Sequence, residues 1–190
     1  MDEFGLIQTY LAPLAGPGGL GLLDDAALYQ PPAGQDLVLT MDSFVEGVHF
    51  RKGHYGGDTA ERLLRTNLSD LAAKGARPIG YLLSLALPRD MRTILIKGFA
   101  IGLGDVQRAY DFDLFGGDTV ATDGPMVISA TLLGLVPTGT MVQRRGAAAG
   151  DDVWVTGVLG DAALGCRIAL NQMITPIPSP DDSWGFENSY

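Results

Sequence analysis

The sequence predicts an α+β fold with α/β alternation in its middle: a mixed sheet with helices packed on one face, followed by an incomplete second domain. Three observations lead there. From residue 37 to 136 the order reads strand, helix, strand, helix, strand, strand, and a sheet covered by helices is the layer arrangement that buries such a series. The composition, 46% hydrophobic and 18% charged, can supply a packed core and lies far from the regime of disordered chains. Beyond residue 170 the alternation stops, because Thr175-Pro176-Ile177-Pro178-Ser179-Pro180 excludes helix and central strand.

The elements follow in order. Residues 5–35 carry Gly16-Pro17-Gly18-Gly19 and Pro31-Pro32 around a short acidic element, Asp24-Asp25-Ala26-Ala27, and read as a mostly irregular arm. Leu37-Val38-Leu39-Thr40-Met41-Asp42 is a β-prone run closed by an acid, with Gly47 and Gly53 marking the loop beyond, so Asp42 is expected at a strand end. Asp58 to Lys74 predicts a helix: Asp58 can cap, Glu61 stands three residues later, and Gly75 and Pro78 stop it. Ile79 to Leu87 reads as an apolar strand closed by Pro88. Met91 to Tyr110 has helical spacing at Ile94, Ile101 and Leu103, weakened by Gly98, Gly102 and Gly104. Phe112 to Phe115 is a short strand leading into the turn Gly116-Gly117-Asp118-Thr119, and Met126 to Val136 is a long strand. Asp152 to Gly157 suggests the first strand of a second sheet, and Gly160-Asp161-Ala162-Ala163 the turn into a helix through Leu170. The expected organisation is therefore an N-terminal domain over 1–138, a linker and domain start over 139–170, and a Pro-rich irregular tail over 171–190.

Charge and cysteine content narrow the functions. With 22 Asp plus Glu against 13 Lys plus Arg, the formal net charge is −9, which argues against nucleic-acid binding, since that affinity comes from cations displacing counterions from phosphates. The one cysteine, Cys166, cannot close an internal disulfide, and no cysteine cluster is available for zinc, so a reducing, cytoplasmic setting is expected. The opening Met1-Asp2-Glu3-Phe4 lacks the basic region of a secretory signal, and no apolar run suggests a membrane span. There is no G-x-x-x-x-G-K-[ST] loop and no G-x-G-x-x-G between strand and helix, which disfavours Walker-type nucleotide hydrolases and dinucleotide-binding dehydrogenases.

Acids recur at element ends beside small residues, at Asp24-Asp25, Asp42, Asp70 and Asp118, where carboxylates can point into a shared cleft. At about 100° per residue, Asn67, Asp70 and Lys74 fall on or beside the stripe of Ala60, Leu63 and Leu71. An ionised Asp there needs Lys74, backbone donors or a metal. As separate residues these acids read as caps and turn residues; together they suggest a Mg²⁺ site, which takes oxygen ligands, waters and substrate phosphates. Such a site lets an acidic protein hold a polyphosphate. Gly116-Gly117 and Arg144-Arg145 offer backbone N–H groups and guanidinium charge to phosphate oxygens. His49, in the loop after the Asp42 strand, is a candidate substrate contact or acid–base group. His54 reads as a surface residue, Cys166 as a small buried side chain, and Trp154 and Tyr110 as core aromatics.

The blocks Leu23-Asp24-Asp25-Ala26-Ala27, Thr40-Met41-Asp42-Ser43-Phe44-Val45-Glu46-Gly47-Val48-His49-Phe50, Asn67-Leu68-Ser69-Asp70-Leu71-Ala72-Ala73-Lys74-Gly75-Ala76-Arg77-Pro78, Gly116-Gly117-Asp118-Thr119 and Val155-Thr156-Gly157 together resemble the thiamine-monophosphate kinases. The likeness runs over roughly residues 4–170. The wider superfamily includes aminoimidazole ribonucleotide synthetase, whose N-terminal domain supplies the implied fold, with selenophosphate synthetase and a hydrogenase maturation factor. What the resemblance implies is ATP-dependent phosphorylation of thiamine monophosphate to thiamine diphosphate by direct in-line transfer, with several Mg²⁺ ions and no covalent nucleophile, in a cytoplasmic homodimer. It implies Asp25, Asp42, Asp70 and Asp118 as metal carboxylates, with Thr40 and Met41 adding oxygen ligands. It also implies Gly117, Asp118 and Arg144 at the nucleotide and His49 at the thiamine phosphate. Met41 stands where the family has Thr, leaving only its backbone carbonyl as a ligand, and Gly21-Leu22-Leu23 precedes the paired acids in place of Gly-Ile-Gly. The family has a complete second domain where this chain has a Pro-rich tail, so the chain is expected to be a fragment of such a kinase; the resemblance also admits an inactive Mg-ATP-binding or dimerisation module, or another synthetase of the superfamily.

Overall fold

The computed structural model describes residues 3–91, 93–157 and 159–170. It divides into two compact units, Met1–Arg145 and Gly146–Tyr190. In the first unit the elements are α1 (Glu3–Leu6), β1 (Gln35–Val45), α2 (Gly57–Ala73), β2 (Arg77–Pro88), α3 (Thr93–Tyr110), β3 (Asp113–Thr122) and β4 (Val127–Pro137). The expected succession of strand and helix from β1 to β4 is what forms. The four strands make one sheet in the order β1-β4-β2-β3. β4 is antiparallel to both β1 and β2, and β2 is parallel to β3, so the sheet is mixed.

α2 packs across β1, β4 and β2, and α3 packs on α2. This follows from pattern. On α2 the residues Ala60, Leu63, Leu64, Leu68 and Leu71 are buried, an i, i+3, i+4, i+8 stripe. In the sheet, Tyr81, Leu83, Leu85, Ile128, Ala130 and Leu132 alternate with less buried neighbours and meet that stripe. Each fully buried Leu or Ile contributes roughly 1.5–3 kcal/mol, which fixes the face each strand presents. α2 ends as expected: Gly75 takes φ 70°, and the Ala76 N–H returns to the Leu71 carbonyl at 2.9 Å.

Several boundaries differ from the sequence reading. The helix begins one residue earlier, with Gly56 at the N-cap and no side-chain cap. Asp58 therefore lies inside the first turn, Glu61 pairs with Arg65 at 3.5 Å, and Thr59 Oγ1 donates to the His54 carbonyl at 2.8 Å. The arm expected to be irregular is helical over much of its first 22 residues: α1 is followed by a π-helical turn, Ile7–Leu11, and by 3-10 turns Ala12–Leu14 and Pro17–Leu22. Leu11 is buried, and Ile7 and Leu14 pack against the core, a helical apolar spacing hidden by the Gly and Pro around it. Gln107 Nε2 on α3 ties the arm down by donating to the Leu14 carbonyl at 2.8 Å. Tyr110, expected in the core, is 44% exposed, and the Arg65 guanidinium lies 5.9 Å from its ring centre. After β4, the N–H groups of Thr138 and Val142 bond to the carbonyls of Gly34 and Lys74, which holds 138–142 to the first unit.

In the second unit, α4 (Asp161–Ala169) forms as expected, but residues 152–157 are not a strand. A strand needs a ladder partner for its backbone groups, and none pairs with this segment among the described residues. Val153 and Trp154 are 98% and 89% exposed, so Trp154 is not a core aromatic, and Cys166 is exposed rather than buried. The Pro-rich tail, 171–190, lies outside the described residues. No helix of the described residues is long and apolar enough to cross a membrane.

The α2–α3 contact depends on close backbone approach. A Cβ at Gly102 would lie 2.3 Å from the Gly57 carbonyl oxygen. Gly102→Ala is therefore expected to lower stability by about 1–3 kcal/mol, the usual cost of overpacking, read from the urea midpoint.

Candidate active site

β1 has eleven residues, all in register with β4, from Gln35 opposite Pro137 to Val45 opposite Val127. Asp42 is thus inside the strand rather than at its end, because Ser43, Phe44 and Val45 continue the pairing. Ser43 and Ser129, directly opposite, share a hydrogen bond of 2.7 Å between their hydroxyls. The alternation of a strand then divides the expected ligands between two faces.

On the face away from the helices, a cleft of about 820 Å³ lies between the sheet and the N-terminal arm. Asp24, Asp25, Met41, Gly117 and Asp118 line it. Gly116 to Thr119 are not a turn following a strand, as expected, but part of β3, where Gly117 and Asp118 stand opposite Leu83 and Ser84 of β2. A Cβ at Gly117 would fall 1.8 Å from the Leu83 carbonyl oxygen, so only glycine lets the two backbones run this close.

On the helix side, Thr40 Oγ1 donates to Asp70 Oδ2 at 2.9 Å, joining β1 to α2. Asp70 is exposed rather than set in the packing face, and this hydroxyl, not Lys74, is its hydrogen-bond partner. Asp42, two residues along the same face from Thr40, has its Oδ2 atom buried without a hydrogen-bond partner. Asn67 is fully buried, as the stripe required, and donates from Nδ2 to the Leu63 carbonyl at 3.0 Å. The expected acids therefore do not share one cleft. Asp24, Asp25 and Asp118 belong to one face, and Asp42 and Asp70 to the other. Among the described residues no group of three or more His, Cys, Asp and Glu side chains is placed to hold a metal ion. A buried, unpartnered carboxylate oxygen is nevertheless costly, and Asp42 beside the Thr40–Asp70 pair is an oxygen donor set of the kind a hard divalent cation takes.

A groove of about 620 Å³ runs along the exposed face of α2, lined by Asp58, Glu61, Arg62, Arg65, Thr66, Ser69 and Asp70. Arg62 links it to the loop after β1, donating to the His49 carbonyl at 2.5 Å and lying 5.2 Å from the centre of the Phe44 ring. The His49 ring stacks on Phe44, with centroids 5.5 Å apart, and its Nδ1 accepts the Val45 N–H at 3.0 Å. His49 and Asp70 thus both meet this groove, the one through Arg62. Arg144 is exposed on the segment after β4 and lines neither the groove nor the cleft. Sequence reasoning missed Arg62, although its i, i+4, i+8 relation to Thr66 and Asp70 marks one exposed stripe of the helix.

Sequence reasoning also passed over Glu46, whose signal is a charge standing directly after the apolar pair Phe44-Val45. Glu46 is 8% exposed. Its Oε1 accepts the Tyr55 hydroxyl at 2.6 Å and the Gly53 N–H at 3.2 Å, and its Oε2 accepts the Met126 N–H at 3.0 Å. Burial pushes its pKa up, but these donors, with the Lys52 charge, outweigh burial and hold it below the ordinary glutamate value. The same bond to Glu46, followed by burial, raises the Tyr55 pKa.

Residues 23–136 match the family model described as AIR synthase related protein, N-terminal domain. That is more than half of the chain, and it is the part that forms the mixed sheet and both helices on it. The chain belongs to this family. It is 47% identical over 165 residues to the thiamine-monophosphate kinase of Caulobacter vibrioides, covering 86% of this chain and 47% of the relative. The crystal structure of the thiamine-monophosphate kinase from Stenotrophomonas maltophilia superposes with a TM-score of 0.76 at 40% identity, over 90% of this chain and 54% of that one. A structure of AaThiL complexed with AMPPCP and TMP superposes with a TM-score of 0.69 at 32% identity, over 92% and 55% of the two chains. This chain spans about half the length of the curated relatives it matches.

The Glu46 cluster makes stability depend on pH. A carboxylate whose folded pKa is lowered contributes stability that is complete above its unfolded value, and that contribution is lost as pH falls through the folded value. Between about pH 5 and about pH 3, the urea midpoint of the wild type is expected to fall more steeply than that of Glu46→Gln, which has no such proton to take up. Parallel curves would contradict the assignment.

Proposed function

We propose that this chain is the nucleotide- and metal-binding part of an ATP-dependent kinase that converts thiamine monophosphate to thiamine diphosphate by direct phosphoryl transfer. The observation that carries the reading is the buried, unpartnered Asp42 Oδ2 beside the Thr40–Asp70 hydrogen bond. It sits in a fold shared with relatives named thiamine-monophosphate kinase, one of them complexed with AMPPCP and TMP. When bound, Mg²⁺ neutralises charge on the triphosphate oxygens.

Each residue then has a task. Asp42 and Asp70 hold divalent cation on the helix side, and Thr40 orients the Asp70 carboxylate through its hydroxyl. Met41, whose side chain faces the cleft, offers only its backbone carbonyl. Asp25 and Asp118 are the carboxylates of the cleft side, so the division of acids between two faces calls for more than one cation. Gly117 faces the nucleotide from the cleft side, and His49 contacts the phosphate of thiamine monophosphate; Arg144, outside both the cleft and the groove, takes no role in this arrangement. No side chain serves as a covalent nucleophile, because phosphoryl transfer rests on positioning and charge neutralisation.

The same reading makes the protein a cytoplasmic homodimer. Helices cover one face of the sheet, while the other exposes Leu37, Leu39, Met41, Leu82 and Val120. An apolar face of that kind favours burial against a second copy.

Isothermal titration with Mg-ATP tests the metal assignment. Asp42→Asn and Asp70→Asn are each expected to weaken binding about tenfold or more, equivalent to about 1.4 kcal/mol. Their urea midpoints should stay unchanged or rise, since a charge is removed from an acidic site. Wild-type affinity in either variant would refute the assignment.

A further inference from the structure

We infer that Glu46 is a positioning residue that sets the His49 imidazole as an outward-facing Nε2–H donor, by clasping the 46–55 loop to the start of β4. The inference deepens the reading of His49 as a phosphate contact, and rests on it only for what the donor serves.

Glu46 touches both ends of the loop that carries His49. Its N–H donates to the Met126 carbonyl at 2.9 Å, and its Oε2 accepts the Met126 N–H, so the residue is fixed to the entry of β4 from two sides. Its Oε1 takes the Gly53 N–H and the Tyr55 hydroxyl from the far end of the loop. Between these anchors the chain turns tightly: the Gly47 N–H meets the Phe50 carbonyl at 2.7 Å, and the N–H groups of Val48 and His49 both point to the Val45 carbonyl. The turn leaves the Val45 N–H aimed at His49 Nδ1.

A neutral imidazole has one N–H, and Nδ1 here accepts a hydrogen bond. The proton of the neutral ring is therefore on Nε2, which has no hydrogen-bond partner among the described residues, and His49 is exposed. Stacking on Phe44 fixes the ring plane, and Arg62 fixes the backbone carbonyl. In this tautomer the free edge of His49 offers a donor to an anionic oxygen and no lone pair with which to take a proton. The ring contacts anion as a donor, not as a base.

The carboxylate is specifically required. All three groups facing the Glu46 oxygens are donors, and a glutamine of the same shape must turn its NH₂ toward one of them, leaving buried donors opposed. Tyr55→Phe is the milder change, removing one donor while keeping the ring that meets Phe50 edge-on.

The test is the tautomer itself, read from two-bond ¹H–¹⁵N correlations of the imidazoles in the ¹⁵N-labelled chain. There are two histidines, and His54→Gln assigns the other signal to His49. The wild type should show His49 as a single Nε2–H tautomer. Glu46→Gln and Tyr55→Phe should keep the amide fingerprint of β1 and β4 yet lose that single tautomer to averaging. Should Glu46→Gln not fold, Tyr55→Phe decides. Folded variants that retain the wild-type tautomer would overturn the inference, as would a wild type carrying its proton on Nδ1. Thiamine monophosphate added to the wild type separates the two readings. A shift at His49 Nε2–H supports both, whereas its absence, with averaging still seen in the variants, contradicts the substrate role and leaves the positioning role standing.

Discussion

The two-residue period of β1 is the constraint on which the site depends. Thr40 and Asp42 turn toward α2, and Met41 turns toward the cleft on the opposite face. A register shift of one residue would exchange the two sets and put Phe44, now 5% exposed, into solvent. The core thereby fixes the chemistry: the burial of Val38 and Phe44 against the helix layer decides where the carboxylate between them points. β4, hydrogen-bonded on both sides, holds this register along the whole of β1.

The helix layer completes what the strand begins. α2 buries Leu63, Leu64 and Leu71 against the sheet, and that packing brings Asp70, on its solvent side, to the Thr40 hydroxyl. One strand face and one helix edge therefore meet over an orphaned carboxylate oxygen, flanked by a groove whose cations are Arg62 and Arg65. Arg65 is paired with Glu61, and Asp58, Glu61 and Asp70 line the same groove, so the two guanidiniums offset acids that would otherwise repel an anion at close range. The loop from Glu46 to Tyr55 closes the other end, and its buried carboxylate serves the loop's shape rather than its charge.

Much of the fold was legible because its long elements obey a single period. The stripe on α2 and the apolar runs of β2 and β4 each pointed to one secondary structure. The boundaries were hidden where local chemistry and tertiary pairing disagree. Gly116-Gly117 reads as a turn in isolation, but β3 needs glycine to run beside Leu83, and an acid at 42 reads as a strand end although Ser43 to Val45 go on pairing. The helical turns of the arm were masked by Gly16 to Gly19. Trp154, Tyr110 and Cys166 were misplaced for a different reason: residue type gives a tendency toward burial, whereas burial itself needs a partner surface. The acids of the candidate site were legible as residues. Their division between two faces was not, since it depends on which strand face the core selects. Glu46 was invisible because its partners, Gly53, Tyr55 and Met126, are joined only by the folded loop.

The central claim is that Asp42, with Asp70 held by the Thr40 hydroxyl, binds a divalent cation that carries the nucleotide. Replacing Mg²⁺ by Mn²⁺ and recording amide relaxation in the presence of ATP tests it directly, because a paramagnetic ion broadens the signals nearest to it. The account predicts strong broadening at Thr40, Asp42 and Asp70, dependent on ATP and abolished by Asp42→Asn. Sharp signals at those three residues, with broadening confined to exposed acids such as Asp105 and Asp111, would contradict it.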